Sequence, residues 1–270
     1  MAIRRLLRGH VPDADLEAVA REAVARQHTE FESVRPLEAN NWLSTPAVIN
    51  EEFFLKVITR QHTILHGLLT TGRNIGAFSS GNDAFFERFD SPLEMAEHER
   101  QATVEMCALG VNAPEPLEAF EYDEYGVLVL EYLPAFETLG ELDRATAAEL
   151  VPELFAALAR MHNAGLAHGD LRSENVLVAD GDLYFIDATN VSDGASDQAR
   201  AYDVACALAV LEPLVGATAA VAAAAEHNPG DVLLAAEQYL GFVSLRPDHA
   251  FEPLTLRGEI EKTVQSGASG

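Results

Sequence analysis

Lysine is nearly missing from this 270-residue chain: Lys56 and Lys262 are the only two, and arginine supplies the other basic side chains. Acidic residues number 43 against 18 basic ones, a formal net charge of −25. Such a surface repels phosphate backbones and anionic membranes, so direct nucleic-acid binding has no support. It suits a protein dissolved in concentrated salt, where screening removes self-repulsion. The expectation is the cytoplasm of an extreme halophile. Cysteine is scarce as well. Cys107 and Cys206 sit in apolar helical patterns, without metal-ligand spacing or a disulfide framework, which points to a reducing compartment. Met1–Arg8 holds no apolar core long enough for a secretory leader. The one stretch as long as a membrane span, Val204 to Ala225, contains Glu212, Pro213 and Gly216 and is rich in alanine rather than leucine. Two packed helices are expected there, and no membrane span. A Gly-x-Gly-x-x-Gly nucleotide loop is also lacking ahead of Lys56.

Hydrophobic residues make up 48% of the chain, enough for one large domain or two lobes. An aspartate-capped amphipathic helix is expected over 13–28. Arg35–Ala39 and Ala47–Asn50 read as strands around a loop, and Phe53–Ile58 as a stronger, nearly continuous apolar strand. Residues 59–90 are polar and glycine-containing, and read as a long loop. Ser91-Pro92-Leu93-Glu94 announces a helix: serine caps, proline takes the first turn and glutamate closes a capping box. That helix stops near Gly110. Val127–Tyr132 reads as a buried strand. Thr146–Glu149 looks like a second capping box, followed by Leu150, Leu154, Leu158 and Met161 on one helical face and a stop at Gly165. From Asp197 the chain reads helical, with a small polar tail from Val264 to Gly270. Strands, one helix, strands, then helices is an α+β plan with a β-rich first lobe and a helical second lobe.

The stretch from Val176 to Ile186 makes a geometric claim. Two short apolar strands flank Asp180-Gly181, a two-residue hairpin turn. Ala179 then faces Asp182 and Asn175 faces Ile186, so Asp187 lies one step from Asn175 across the strands. Asp170 is just upstream. A carboxylate, an amide oxygen and a second carboxylate suit Mg²⁺, which takes hard oxygen ligands and shares phosphates with its substrate. The blander reading is an Asx-rich turn stabilising its own backbone; the order and spacing favour the first.

These residues carry a family resemblance. His168-Gly169-Asp170-Leu171-x-x-x-Asn175 resembles the protein-kinase catalytic loop, with glycine in place of the usual arginine, and Asp187 stands where the metal-binding aspartate of the Asp-Phe-Gly motif would stand. The His-Gly-Asp version is similar to RIO kinases, to the small archaeal kinase of the tRNA-modifying KEOPS complex and to aminoglycoside phosphotransferases. The match extends over about residues 33–212. It implies a two-lobed protein-kinase-like fold: an N-terminal helical extension over 1–32, an N-lobe over 33–132, a helical C-lobe over 133–263 and a tail over 264–270. By the resemblance Asp170 orients or deprotonates the acceptor hydroxyl, and Asn175 and Asp187 hold Mg²⁺ (or Mn²⁺) with ATP. Arg172 stands near the transferred phosphate; it stabilises charge there or pairs with an acidic neighbour.

Lys56 resembles the phosphate-binding lysine of the kinase β3 strand. In a chain almost without lysine, its place in the most apolar strand suggests work that arginine cannot do, although a strand lysine can also snorkel. Its partner should be a glutamate of the helix after Ser91. Met95, Ala102, Met106 and Leu109 follow one helical face. Glu99 shares that face, Glu97 points away, and Glu94 and Glu105 flank it. Glu38-Ala39-Asn40 resembles a run in the RIO nucleotide loop, and Glu131-Tyr132 looks like the hinge whose backbone meets adenine. Asp203 either braces the catalytic loop or caps a helix. Ala188-Thr189 replaces Phe-Gly, and the run from Asn190 to Arg200 is too short for a substrate-docking activation segment. The resemblance thus implies an atypical serine/threonine kinase or ATPase acting on an unidentified protein or small-molecule acceptor. A small-molecule phosphotransferase and a nucleotide-binding pseudokinase are the alternatives.

Overall fold

A computed structural model describes residues 11–37, 44–64, 89–188, 197–246 and 250–267. Glu38, Ala39 and Asn40 fall outside the described residues, as do Thr189 and the serines at 192 and 196. The described chain forms two compact units. The first holds the N-terminal helix, a five-stranded sheet and the helix after Ser91 as far as Glu105; the second holds Met106–Ala113 and the described residues from Ala135 onward.

The sheet of the first unit is antiparallel. Strands β1 (Val34–Pro36), β2 (Thr45–Ile49), β3 (Phe53–Ile58), β4 (Pro116–Tyr122) and β5 (Tyr125–Glu131) lie in the order β1-β2-β3-β5-β4. Strand β4 is not legible beforehand. It is a half-exposed edge strand, PLEAFEY, whose proline and glutamates argue against a strand until Glu118 is seen paired with Arg26 at 2.8 Å. One sheet face is covered by helix α1 (Asp13–Arg26). Leu16, Val19, Ala20, Ala23 and Val24 pack on Ala47, Ile49, Leu55, Val57, Val127 and Val129. Leu16, Val19 and Val24 alone represent roughly 1.5–3 kcal/mol each. Residues 13–26 are therefore part of this unit's core rather than an appendage to it. Tyr125 ties the helix down, its hydroxyl donating to Asp15 at 2.8 Å. Burial and that carboxylate push the phenol up to about 12.

The other sheet face carries Ile58, Leu128 and Leu130 against Phe89, Met95 and Ala96. The last two belong to helix α2 (Pro92–Ala108). The capping box forms in a shifted version: Glu94 N–H donates to Ser91 Oγ at 3.1 Å, and Glu94 Oε2 accepts from Asp90 N–H at 2.7 Å. Gly126 is required where β5 passes this helix. A Cβ there would lie 2.1 Å from the Pro92 carbonyl oxygen.

In the second unit a small sheet, β6 (Glu137–Thr138), β7 (Val176–Ala179) and β8 (Asp182–Phe185), accompanies helices α3 (Arg144–Asn163), α4 (Asp197–Val215), α5 (Ala217–His227), α6 (Gly230–Val243) and α7 (Pro253–Gly267). Val204–Ala225 is indeed two helices, broken at Gly216 with φ +89°. Among the described residues no helix is long and apolar enough to cross a membrane.

Three readings need correction. Residues 60–64 are helical rather than loop. The cap of α3 is Asp143, not Thr146: the Asp143 carboxylate accepts from Ala145 N–H and Thr146 N–H, an anionic cap at the helix N-terminus. The last helix continues to Gly267, four residues into the expected tail. Val264 finds a neighbour there, since it lies against Gly230 at the start of α6.

Candidate functional site

Alternation along β3 decides where Lys56 goes. Leu55 and Val57 face α1, so Lys56 shares the opposite face with Ile58, toward α2. On α2, Met95, Ala96, Glu99, Ala102, Thr103 and Met106 are buried, while Glu94 and Glu97 are exposed. One helical stripe thus brings a single glutamate inward. Lys56 Nζ and Glu99 Oε1 form an ion pair with side chains 4% and 5% exposed. A buried charge is tolerated only when paired, and this pairing fixes an ammonium on a rigid strand. Glu131 ends β5 and is exposed. Its amide donates to Glu115 O at 2.9 Å and that of Tyr132 to Glu52 O at 3.1 Å, so both amides have backbone acceptors just beyond the strand ends.

The second unit gathers the other residues. Asp180 and Gly181 have φ +53° and +87°, the two left-handed residues of a type I′ turn. The register is Val176↔Phe185 through Ala179↔Asp182. Ile186 N–H donates to Asn175 O at 3.0 Å, closing the hairpin's open end just before Asp187. Asp187 adopts φ +60°, unusual for a residue with a side chain. Asn175 is buried, and its Nδ2 donates to the Asp170 carbonyl at 2.8 Å. The amide orientation is thereby set, and Oδ1 is left as the acceptor end, 3.5 Å from Arg172 Nη2.

The loop before this hairpin is held from below. Asp203, fully buried in the second turn of α4, accepts from His168 N–H at 2.7 Å, from Gly169 N–H at 2.8 Å, and lies 3.0 Å from His162 Nε2. It is the brace, not a helix cap. Gly169, at φ +75°, supplies the left-handed residue that lets consecutive amides point at one carboxylate. His168 is fully buried. Its Nδ1 accepts from Asp170 N–H at 3.4 Å, so Nε2 carries the proton and donates to Ile186 O at 3.0 Å. Burial holds this imidazole below its ordinary 6.5, although the Asp203, Asp170 and Asp187 carboxylates pull the other way.

The Asp170 carboxylate sits between two guanidinium groups. Arg172 Nη2 is 3.3 Å from Oδ2 and Arg246 Nη2 is 2.8 Å from Oδ1. Of the two roles open for Arg172, the geometry displays the acidic pairing. Arg246, 76 residues downstream, is a site residue that sequence reasoning misses; no motif or periodicity marks it.

Asn175 and Asp187 offer an amide oxygen and a carboxylate, the hard donors a divalent cation needs. Among the described residues no three His, Cys, Asp or Glu side chains form a self-sufficient metal cage. An amide oxygen and a carboxylate are hard donors of the kind that fit Mg²⁺.

Residues 87–207 match the family model of the RIO domain. A probable bifunctional tRNA threonylcarbamoyladenosine biosynthesis protein of Methanothermobacter thermautotrophicus is 33% identical over 101 residues, 36% of this chain and 18% of that protein. The KEOPS complex subunit Bud32 of Pyrococcus abyssi is 33% identical over 82 residues, 29% of this chain and 36% of that subunit. The chain thus spans well under two thirds of either relative. Among solved structures, the kinase PK-1 of the Cydia pomonella granulovirus aligns with 65% of this chain and 57% of its own, at 14% identity and a TM-score of 0.40.

Proposed function

We propose that this protein-kinase-like chain, which resembles RIO-type atypical kinases, transfers the γ-phosphoryl group of Mg-ATP to a hydroxyl or to water. The observation that supports it most is the gathering of Asp170, Asn175 and the hairpin end at Asp187 on a loop whose backbone is held by Asp203. An Asx-rich turn that served only its own backbone would need no buried carboxylate braced from α4.

In this reading Lys56, oriented by Glu99, meets the phosphates, and Asn175 and Asp187 hold the cation. Glu38-Ala39-Asn40 is, by the resemblance alone, the candidate nucleotide-loop run, and Glu131 marks the adenine end. Bound with the nucleotide, Mg²⁺ (or Mn²⁺) neutralises charge on the β- and γ-phosphates. Asp170 orients the attacking oxygen. The bond from phosphorus to ADP breaks, the bond to the acceptor oxygen forms, and the hydroxyl proton passes by way of Asp170 to water. Arg172, 3.3 Å from the Asp170 carboxylate, helps to hold it. The acceptor is an unidentified protein or small molecule, and serine/threonine specificity is part of the proposal. So is a salt-rich cytoplasm, which the −25 charge and two lysines favour.

The test is γ-labelled ATP with Mg²⁺ in molar salt, with and without a lysate of the source cell, scoring phosphoprotein, phosphorylated small molecule and free phosphate separately. Asp187→Ala is expected to weaken Mg-ATP binding and abolish turnover together. Asp170→Ala is expected to keep nucleotide affinity and lose turnover by roughly a hundredfold, the scale of a positioned general base. Wild-type protein that binds Mg-ATP and stays inert under every condition would establish the pseudokinase reading instead.

A further inference from the structure

We propose that Arg246 is a positioning residue for the transfer step, setting the Asp170 carboxylate with one end of its guanidinium while Tyr202 sets the other end. The inference rests on the phosphotransfer reading above and concerns how its central carboxylate is aimed.

Arg246 lies three residues past the end of α6, and its side chain is only 11% exposed; that of Asp170 is 6% exposed. Nη2 donates to Asp170 Oδ1 at 2.8 Å and Nη1 to the Tyr202 hydroxyl at 2.7 Å. Tyr202 has no exposure, and its ring is wedged edge-on to Tyr239 at 5.7 Å and tilted against Phe242 at 6.0 Å. The hydroxyl that receives Arg246 is therefore fixed by packing. Tyr202 is followed directly by Asp203, which holds the His168 and Gly169 amides. Neighbouring residues of α4 thus govern both parts of the loop: Asp203 its backbone, and Tyr202, through Arg246, its carboxylate.

Such holding has a chemical use. Rotation of a carboxylate about its last bond is broad, with no sharp rotamer to fix it. Phosphoryl transfer passes through a loose transition state in which the acceptor oxygen must be in line, and its proton need not leave early. Aim counts for more than basicity. Two arginines on opposite oxygens give aim. Lysine cannot copy Arg246, because two contacts at fixed separation need the planar fork. In a chain with 18 basic against 43 acidic residues, an arginine buried on a carboxylate is also not accounted for by surface charge pairing.

The experiment compares wild type, Arg246→Ala, Arg246→Lys, Tyr202→Phe and the Ala/Phe double variant. It reads kcat and KM for ATP by phosphate release or transfer, Mg-ATP affinity by calorimetry, and melting temperature. Arg246→Ala should lower kcat roughly 10- to 100-fold while KM and affinity stay within about twofold, the split expected when only the transition-state geometry suffers. Arg246→Lys should recover a minor part. Tyr202→Phe should lower kcat about three- to tenfold, and the double variant should be no worse than Arg246→Ala, because both act on one contact chain. Unchanged or raised kcat in Arg246→Ala, or a loss confined to KM, overturns the inference while an active wild type leaves the phosphotransfer reading standing. Where Arg246→Ala does not fold, Tyr202→Phe decides alone, and an unchanged kcat there overturns the inference. An inert wild type overturns both.

Discussion

The two units satisfy their buried charges by different means. In the first, an ammonium meets a carboxylate of another element: Lys56 on β3 and Glu99 on α2. In the second, carboxylates are met by several groups drawn from distant parts of the chain. Asp203 receives two backbone amides and an imidazole, and Asp170 receives two guanidinium groups. An ion pair between a strand and a helix fixes the distance between two elements. A network fixes the shape of a loop. The first kind is vulnerable to loss of either partner and tolerant of joint replacement; the second spreads its dependence over many contacts but hangs on the central carboxylate.

Removing that centre should produce the largest effect. Asp203→Ala leaves the His168 and Gly169 amides without an acceptor, and at roughly 1–3 kcal/mol for each buried unsatisfied donor it should destabilise the protein by about 2–6 kcal/mol. Denaturant melts in high salt measure this. A loss below about 1 kcal/mol would mean that water or neighbouring groups replace the brace.

Next in size is the pair of the first unit. Glu99→Ala takes a carboxylate from a buried ammonium and should cost about 3–5 kcal/mol, whereas Lys56→Met/Glu99→Leu together should restore most of that stability and still bind Mg-ATP poorly. Equal stability in the single and double variants would show that the charges do not hold β3 to α2.

A third change tests packing without touching charge. Gly126→Ala drives a Cβ toward the Pro92 carbonyl, 2.1 Å away, and should cost about 1–3 kcal/mol through displacement of the α2 N-terminus. It should also loosen the Lys56–Glu99 pair, read as weaker nucleotide affinity, since α2 carries the glutamate. Unaltered affinity would separate helix placement from pair formation.

The smallest expected effect is on pH dependence. His168 is held neutral, below its ordinary 6.5, by burial. The unfolded chain then binds a proton that the folded chain resists. The contribution is present in full above 6.5 and is lost as pH falls from there through the folded value. Wild type should lose a few degrees of melting temperature, on the order of 1 kcal/mol, between about pH 7 and 5.5, and His168→Gln should flatten that fall. A parallel fall in the variant would assign the slope to carboxylates instead.

Local rules made much of this legible. Period two in β3 sets Lys56 apart from Leu55 and Val57, and the 3.6-residue stripe in α2 turns Glu99 inward; that the two meet was implied by the kinase resemblance. Asp180-Gly181 sets the hairpin register through two left-handed residues, and so fixes Asp187 relative to Asn175. Strand β4 escaped because an edge strand shows its charges to solvent and lacks an apolar signature.

Sequence alone therefore determined the α+β plan, the hairpin and which glutamate of α2 turns inward, because each follows from periodicity or turn chemistry within a few residues of chain; that this glutamate meets Lys56, 43 residues away, was what the kinase resemblance implied. Only the tertiary structure decided that Asp203 is a brace rather than a cap, that Arg172 pairs with Asp170, and that Arg246 joins it from 76 residues away. Side-chain charge pairing across such separations follows no period. It depends on how α4 and α6 pack, a property of the folded unit and not of any short stretch of it.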